Sequence, residues 1–153
     1  MVFSATKGMA STIVHRLVDR GLLDYDTPVC AYWPEFGENG KAGITVRQVM
    51  AHEAGLSQLN GVSKAELLDH RLMERRIAAA PVNSLLFGRS AYHALTYGWL
   101  LSGLARAVTG QDMRELFRTE LANPLRTDGI HLGRPPAGAP TRAAEILGPQ
   151  RRW

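Results

Sequence analysis

The chain has 153 residues, of which 45% are hydrophobic and 21% charged, and this composition is typical of one globular domain. No stretch approaches the roughly 18 apolar residues that a membrane span requires. The opening residues lack a basic head followed by an apolar stretch, so we expect a cytoplasmic protein without membrane contact. The single cysteine, Cys30, excludes an internal disulfide and a cysteine-based zinc site.

The charge of the chain is basic overall, with a net charge of +4 and a pI near 9.6. Such a balance would suit a nucleic-acid-binding protein if the positive residues were clustered. Residues 1–60 instead carry 5 basic and 6 acidic side chains, and residues 61–153 carry 13 and 8, mostly interleaved. Interleaved charges are typical of solvated helix faces, so we expect no nucleic-acid partner.

The first predicted element is a helix from Ser4 to Arg20, because apolar residues there recur three and four positions apart. Gly21 follows as a natural stop. Residues 22–43 contain prolines, glycines and four aromatic residues. We therefore expect a loop that is pinned by buried rings and contains no long element.

Helical patterns continue through most of the remaining chain. Thr45 is a suitable N-cap for a short helix that ends before Gly55. Further helices are predicted over residues 63–79, 91–108 and 111–122. In the segment 133–153, 7 of 21 residues are proline or glycine, which predicts a poorly ordered tail.

The strongest chemical signal is the Ser4-Ala5-Thr6-Lys7 segment at the start of the first predicted helix. Residues three apart share a helical face, so the Ser4 hydroxyl and the Lys7 amine can meet. A serine becomes nucleophilic when a base removes its proton, and a lysine can act as that base when its environment keeps it neutral. Backbone amides at the helix start can then stabilise developing negative charge. The alternative is a serine that caps the helix and a lysine that is solvated.

Two other motifs give no reason to expect a metal or a cofactor. His52-Glu53 begins like a zinc-protease motif, but Leu56 stands where the second histidine ligand is required. The Gly37–Lys41 segment lacks the spacing of a phosphate-binding loop, and no serine or threonine follows Lys41.

Segments further along the chain accompany the Ser-x-x-Lys motif in a familiar order. They are Tyr32-Trp33-Pro34-Glu35-Phe36, the run from Ile44 to Leu56, and the run from Tyr92 to Leu101. Together with residues 4–7 they resemble the serine β-lactamase-related family, which groups class C β-lactamases, DD-peptidases and a branch of carboxylesterases. The resemblance spans roughly residues 4–133.

The resemblance implies acyl transfer through a covalent ester on Ser4, with Lys7 and the Tyr92 phenol sharing the role of general base. A tyrosine with an ordinary pKa near 10 becomes useful as a base when a nearby ammonium stabilises its phenolate. That would be the task of Lys7. Without the family context, Tyr92 would be interpreted as a buried ring with a satisfied hydroxyl.

The sequence also departs from the family pattern. Ala94 stands two residues after the motif tyrosine, where the lactamases and peptidases usually have asparagine. This favours the esterase-like branch, with a small ester or amide as the implied substrate. The third family motif, Lys-Thr-Gly or His-x-Gly on a strand, supplies a donor to the oxyanion hole. His131-Leu132-Gly133 has matching letters, but it follows Tyr92 too soon and runs into Pro135-Pro136, so we interpret it as an unrelated loop.

The family's proteins are longer, and their antiparallel sheet uses both ends of the chain. We therefore expect residues 1–132 to form a mainly α, partial β-lactamase/transpeptidase-like fold, truncated so that most of the sheet is missing. Loss of one oxyanion donor typically costs about 2.7 to 4 kcal/mol, so we expect weak activity or none. The alternative function is a non-catalytic helical fragment that binds a protein. Apolar surface left by a missing sheet also predicts self-association.

Overall fold

The computed structural model describes residues 2–135 and 137–140, and in this part of the chain the secondary structure is helical. The α-helices are α1 (Ala5–Asp19), α2 (Val46–Met50), α3 (His70–Ala79), α4 (Thr96–Thr109) and α5 (Met113–Leu116). Shorter elements are the 3-10 helices Val29–Ala31, Pro34–Gly37 and Glu66–Leu68, and the π-helix Phe117–Ala122. The β-structure of the described residues consists of two isolated antiparallel bridges, Pro28–Thr45 and Ala54–Phe87. The mainly α prediction is confirmed.

Helices α1 and α2 form where the sequence predicts them. Thr45 caps α2 as expected, since its side chain accepts a hydrogen bond from the Gln48 amide while the Gln48 side chain accepts one from the Thr45 amide. The predicted loop over residues 22–43 contains only two short 3-10 helices, and Phe36 is fully buried in it. Local capping and apolar periodicity were sufficient for these elements.

Three predicted helices differ from the structure in their bounds. The helix predicted over 63–79 is interrupted at Asp69, whose carboxylate accepts a hydrogen bond from the Leu72 amide and caps α3. The helix predicted over 111–122 is α-helical only to Leu116 and continues as a π-helix. The helix predicted over 91–108 begins at Thr96 instead. Tyr92 therefore lies on the loop before α4, and its contacts come from other parts of the chain.

Helix α4 is the centre of the core. Nine of its residues are buried, from Thr96 to Ala105, so it is enclosed on more than one face. The face of α1 formed by Ala10, Ile13, Val14 and Leu17 is buried, and α1 packs against α4. The other side of α4 meets α3, where Glu74 accepts hydrogen bonds from Ser102 at 2.7 Å and from Arg106 at 2.8 Å.

Two polar contacts link the middle of α1 and the end of α2 to the start of α4. Ser11 on α1 shares a hydrogen bond of 2.8 Å with the Tyr97 hydroxyl on α4. The same hydroxyl lies 3.4 Å from the carbonyl oxygen of Met50, the last residue of α2. Three chain segments that are distant in sequence consequently meet at the hydroxyl of the buried Tyr97.

Residues 136 and 141–153 of the predicted tail lie outside the described residues, so its lack of order stays a prediction. Residues 131–133, which we interpreted as a loop, form neither helix nor strand. Within the described ranges, no helix has both the length and the apolar character that crossing a bilayer demands.

Candidate active site

The three residues singled out in the sequence lie within hydrogen-bond distance of one another. The Ser4 Oγ accepts a hydrogen bond from the Tyr92 hydroxyl at 2.7 Å and one from the Lys7 Nζ at 3.2 Å. Ser4 and Lys7 belong to the start of α1, whereas Tyr92 comes from the loop 88 residues away in sequence. The arrangement therefore depends on tertiary folding and not on helical spacing alone.

The Ser4 side chain does not cap α1, although Ser4 occupies the N-cap position. Thr45 and Asp69 show what capping looks like in this protein, because each accepts a hydrogen bond from the amide three residues later. The Ser4 hydroxyl bonds instead to Lys7 and Tyr92. The structural alternative considered for this motif, a capping serine beside a solvated lysine, is wrong.

The backbone at the start of α1 differs from the expectation of free amides. The amides of Ala5, Thr6 and Lys7 donate hydrogen bonds to the carbonyl oxygens of residues 2, 3 and 4, at 3.0 to 3.1 Å. The reason is a tight turn in which Phe3 has a φ of 44°, a left-handed conformation that is uncommon for residues other than glycine. These three amides are therefore occupied and are not free donors, and a role for other amides at the helix start in stabilising developing negative charge stays a prediction.

Lys7 is half-buried and makes a second strong contact. Its Nζ donates a hydrogen bond of 2.7 Å to the carbonyl oxygen of Ala94, and it lies 5.1 Å from the centre of the Tyr92 ring. Position 94 thus contributes to the site through its backbone, although its side chain lacks the amide that the family pattern favours. The amine is fixed between the nucleophile candidate and the loop that carries Tyr92.

Tyr92 is 56% exposed, so the alternative of a buried ring with a satisfied hydroxyl is wrong. The hydrogen bond with Ser4, followed by hydrogen bonding and charge attraction from Lys7, holds the pKa of the Tyr92 phenol below its usual range, against a smaller opposing effect of desolvation. A lowered phenol pKa increases the fraction of phenolate near neutral pH. This is the direction that a general base requires.

Sequence reasoning missed the contribution of His52 and His93 to this site. We considered His52 only as a metal ligand, yet its ring lies 5.2 Å from the Tyr92 ring, and its Nδ1 accepts a hydrogen bond from the His93 amide. No group of three or more His, Cys, Asp or Glu side chains able to hold a metal ion occurs among the described residues. A usable signal was present, since His93 directly follows the motif tyrosine.

Two sizeable clefts lie away from this site. Two clefts of about 770 and 790 Å³ border α3 and α4, and neither is lined by Ser4, Lys7 or Tyr92. Their walls combine charges of both signs, including Glu74 and Arg106, which already pair with each other. Ser4 remains the candidate for the chemistry, because a hydroxyl beside a possible base is more specific to catalysis than the size of a cleft.

Comparisons with known proteins agree on one family. The Beta-lactamase family model matches residues 1–152. The chain is 69% identical over 150 residues to "Esterase/beta-lactamase LipL" of Mycobacterium tuberculosis (strain ATCC 25618 / H37Rv), a match that covers 98% of this chain and 35% of LipL. The chain therefore spans about a third of the length of that relative.

Two solved structures are similar to an equal degree. One is a penicillin-binding protein homologue from Caulobacter crescentus, with 38% identity and a TM-score of 0.73 over 81% of this chain and 34% of that protein. The other is a family VIII carboxylesterase, with 38% identity and a TM-score of 0.74 over 80% of this chain and 34% of that enzyme. Sequence and fold lead to the same conclusion: the chain belongs to the beta-lactamase family, of whose fold the described residues form a helical part.

Proposed function

We propose that this chain carries the nucleophile and the proton-transfer pair of an esterase-like serine hydrolase that works through an acyl-enzyme on Ser4. The observation that carries the proposal is the pair of contacts to the Ser4 Oγ, from the Tyr92 hydroxyl at 2.7 Å and from the Lys7 Nζ at 3.2 Å. A nucleophile within hydrogen-bond reach of its base, itself oriented by a third group, is the arrangement that covalent catalysis needs.

The proposed chemistry follows from these contacts. The Tyr92 phenolate, stabilised by the Lys7 ammonium, takes the proton of the Ser4 hydroxyl while Oγ forms a bond to the carbonyl carbon of the ester. The resulting tetrahedral intermediate expels the alcohol, which receives the proton from the Tyr92 phenol. Water then hydrolyses the acyl-enzyme by the same steps. Tyr92 takes a proton from the water while the water oxygen attacks the acyl carbon. The bond to the Ser4 Oγ then breaks, and Oγ receives the proton from Tyr92.

The preference for an ester over an amide rests on position 94. There the protein offers a methyl side chain and a carbonyl oxygen already bonded to Lys7, so no side-chain amide is present to contact a substrate amide. Three exposed apolar side chains, Phe3, Tyr92 and Leu95, lie at or next to the motif residues. They suit an apolar acyl group, because burying apolar surface contributes roughly 25 cal/mol per Å².

Hydrolysis assays test the function and the substrate preference together. We expect the chain to hydrolyse aryl esters of short acids weakly but faster than a chromogenic cephalosporin, and we expect Ser4→Ala to remove both activities to background. Hydrolysis by Ser4→Ala cannot depend on the Ser4 nucleophile. Equal rates for the wild-type chain and Ser4→Ala would therefore refute the proposal. A faster reaction with the cephalosporin would refute the esterase preference while keeping the nucleophile.

Self-association is a second proposed property, favoured by the number of exposed large apolar side chains. Leu68, Leu85, Leu95 and Leu125 are between 62% and 86% exposed. A second copy of the chain would cover such side chains. Light scattering over a range of concentrations tests this proposal, and a constant monomeric mass at the highest concentration would contradict it.

A further inference from the structure

The loop that carries Tyr92 is held on both sides by His52. The amide of Ala91 donates a hydrogen bond of 3.0 Å to the His52 carbonyl oxygen, and the amide of His93 donates one of 3.0 Å to the His52 Nδ1. Residues 91 to 93 lie outside any helix. Two backbone amides that flank Tyr92 thus donate their hydrogen bonds to a single residue of another segment, His52.

The histidine tautomers are determined by their partners. The His52 Nδ1 accepts a hydrogen bond, so it is unprotonated. The His93 Nε2 accepts a hydrogen bond of 3.1 Å from the Leu56 amide, so the His93 proton lies on Nδ1 and is donated to the Ala91 carbonyl oxygen at 2.5 Å. Burial lowers the pKa of both histidines, which favours these neutral forms.

The ring of His52 is also fixed by packing. It stacks on the Tyr97 ring with 4.3 Å between centres, and it lies 5.2 Å from the Tyr92 ring. The backbone of His52 has a φ of 63°, a left-handed conformation that asparagine and glycine adopt more readily than most residues. His52 therefore reaches the Tyr92 loop with its ring and its carbonyl oxygen from a strained backbone position.

We propose that His52 is a positioning residue that holds the Tyr92 hydroxyl against Ser4. This inference rests on the proposed function, since it assigns His52 a role in presenting the base to that nucleophile. His52 makes no hydrogen bond to Ser4 and acts through the loop: the two bonds on either side of Tyr92 set the loop backbone, and the ring contact limits the rotation of the phenol. A displacement of about 1 Å in such a group can reduce a rate by about 100-fold.

A pair of substitutions separates positioning from general destabilisation. His52→Gly removes the acceptor and the ring and relieves the backbone strain. His52→Asn also tolerates the left-handed conformation, and its Oδ1 can replace Nδ1 as the acceptor. The matched control is His15→Ala, because His15 lies further along α1 and shares a hydrogen bond with the hydroxyl of Tyr25, which follows that helix. Circular dichroism of every variant verifies that the helices are present.

Two measurements are made on the full chain. The first is the pKa of the Tyr92 phenol, from ultraviolet absorbance titration with Tyr92→Phe as the reference. The second is the rate at which a fluorophosphonate probe modifies Ser4. We expect His52→Gly to raise the phenol pKa towards its ordinary value and to slow the modification by about 10- to 100-fold. His52→Asn is expected to restore most of both properties, and His15→Ala to change neither.

The outcomes distinguish this inference from the proposed function. An unchanged phenol pKa in folded His52→Gly would overturn the positioning role, even if Ser4 reacts normally. The part of the positioning role that acts through Nδ1 would be overturned if His52→Asn behaved like His52→Gly, because the acceptor would then not matter. Absence of Ser4 modification in the wild-type chain would instead refute the proposed function, and the phenol titration would still measure whether His52 sets the geometry of Tyr92.

Discussion

Lys7 and Lys41 are two of only three lysines in the chain, and they occupy opposite kinds of environment. Lys7 is half-buried at the surface, where its Nζ contacts the side chain of Ser4. Lys41 is fully buried, and its Nζ donates hydrogen bonds to the carbonyl oxygens of Glu38 and Ala80 and lies 5.5 Å from the Phe36 ring. One amine faces a hydroxyl that solvent can reach, and the other joins two backbone segments.

Burial alone therefore does not identify a reactive lysine. Burial lowers the pKa of Lys41 more than the Glu38 charge raises it, a shift often associated with catalytic lysines. However, its surroundings contain backbone oxygens and an aromatic ring, and neither is a nucleophile. Lys7 is the proposed functional lysine because of the atoms within its reach, Ser4 Oγ and the Tyr92 phenol.

The largest effect that we expect comes from removing the Lys7 amine, and it is on the reactivity of Ser4. Lys7→Met removes the ammonium that stabilises the Tyr92 phenolate, and we expect the rate of Ser4 modification by a fluorophosphonate to fall by about 1,000-fold. Lys64→Met is the matched control, because Lys64 is exposed and outside the site. A reduction of the same size in both variants would show that net charge, and not the position of Lys7, controls the rate.

Tyr92→Phe tests whether Tyr92 is the general base of the site. We expect a decrease of about 100-fold in the modification rate, since general-base catalysis contributes about that much or more. The active form is the phenolate, so the wild-type rate should rise with pH through the lowered pKa of Tyr92. This rise should be absent from the variant's pH profile. A variant that retains the wild-type profile would assign the ionisation to another group.

Lys41→Met tests the other half of the comparison. The substitution keeps the length of the side chain but leaves the Glu38 and Ala80 carbonyl oxygens without their donor, so we expect the free energy of unfolding to fall by about 2 kcal/mol. Urea denaturation measures this change. The modification rate of the folded protein should be unchanged, and a selective loss of that rate would contradict a purely structural role for Lys41.

The smallest expected effect is a dependence of stability on pH. Burial lowers the pKa of His52 and His93, and repulsion by His93, when it is protonated, and by the Lys7 ammonium adds to the effect on His52. The rings of Tyr92 and Tyr97 complete the surroundings of His52. As pH falls below about 6.5, the unfolded chain binds protons before the folded one, so this contribution to stability is fully present above that pH and decreases below it.

Urea midpoints at a series of pH values measure this slope. We expect the decrease to be smaller in His52→Asn, because one of the two histidines with a lowered pKa is then absent. The opposite trend, with the wild-type chain gaining stability as pH falls, would show that the two rings are protonated in the folded state.

The parts of the fold that were predicted correctly are those with local causes. Apolar spacing determined α1, and the reciprocal bonds of Thr45 and Gln48 determined the start of α2. The Ser4–Lys7 contact follows from their separation on one helix. These features depend on neighbours within four residues, so the sequence alone was sufficient.

Two of the features that were missed have distant causes, unlike the local Asp69 cap that interrupts the helix predicted over 63–79. Tyr92 was predicted to lie in a helix, but the amides on either side of it bond to His52, about 40 residues away. The burial of Lys41 depends on Ala80, 39 residues later in the chain. Neither pairing alters the periodicity of the local sequence, so neither could be inferred from it.

Activation of Ser4 by Lys7 and Tyr92 can be measured by intact-mass analysis of the chain after incubation with a fluorophosphonate probe. We predict a single adduct on the wild-type chain, no adduct on Ser4→Ala, and a strongly reduced amount on Lys7→Met. A wild-type chain whose helical circular dichroism is intact but which forms no adduct, or an adduct that persists in Ser4→Ala, would contradict this activation.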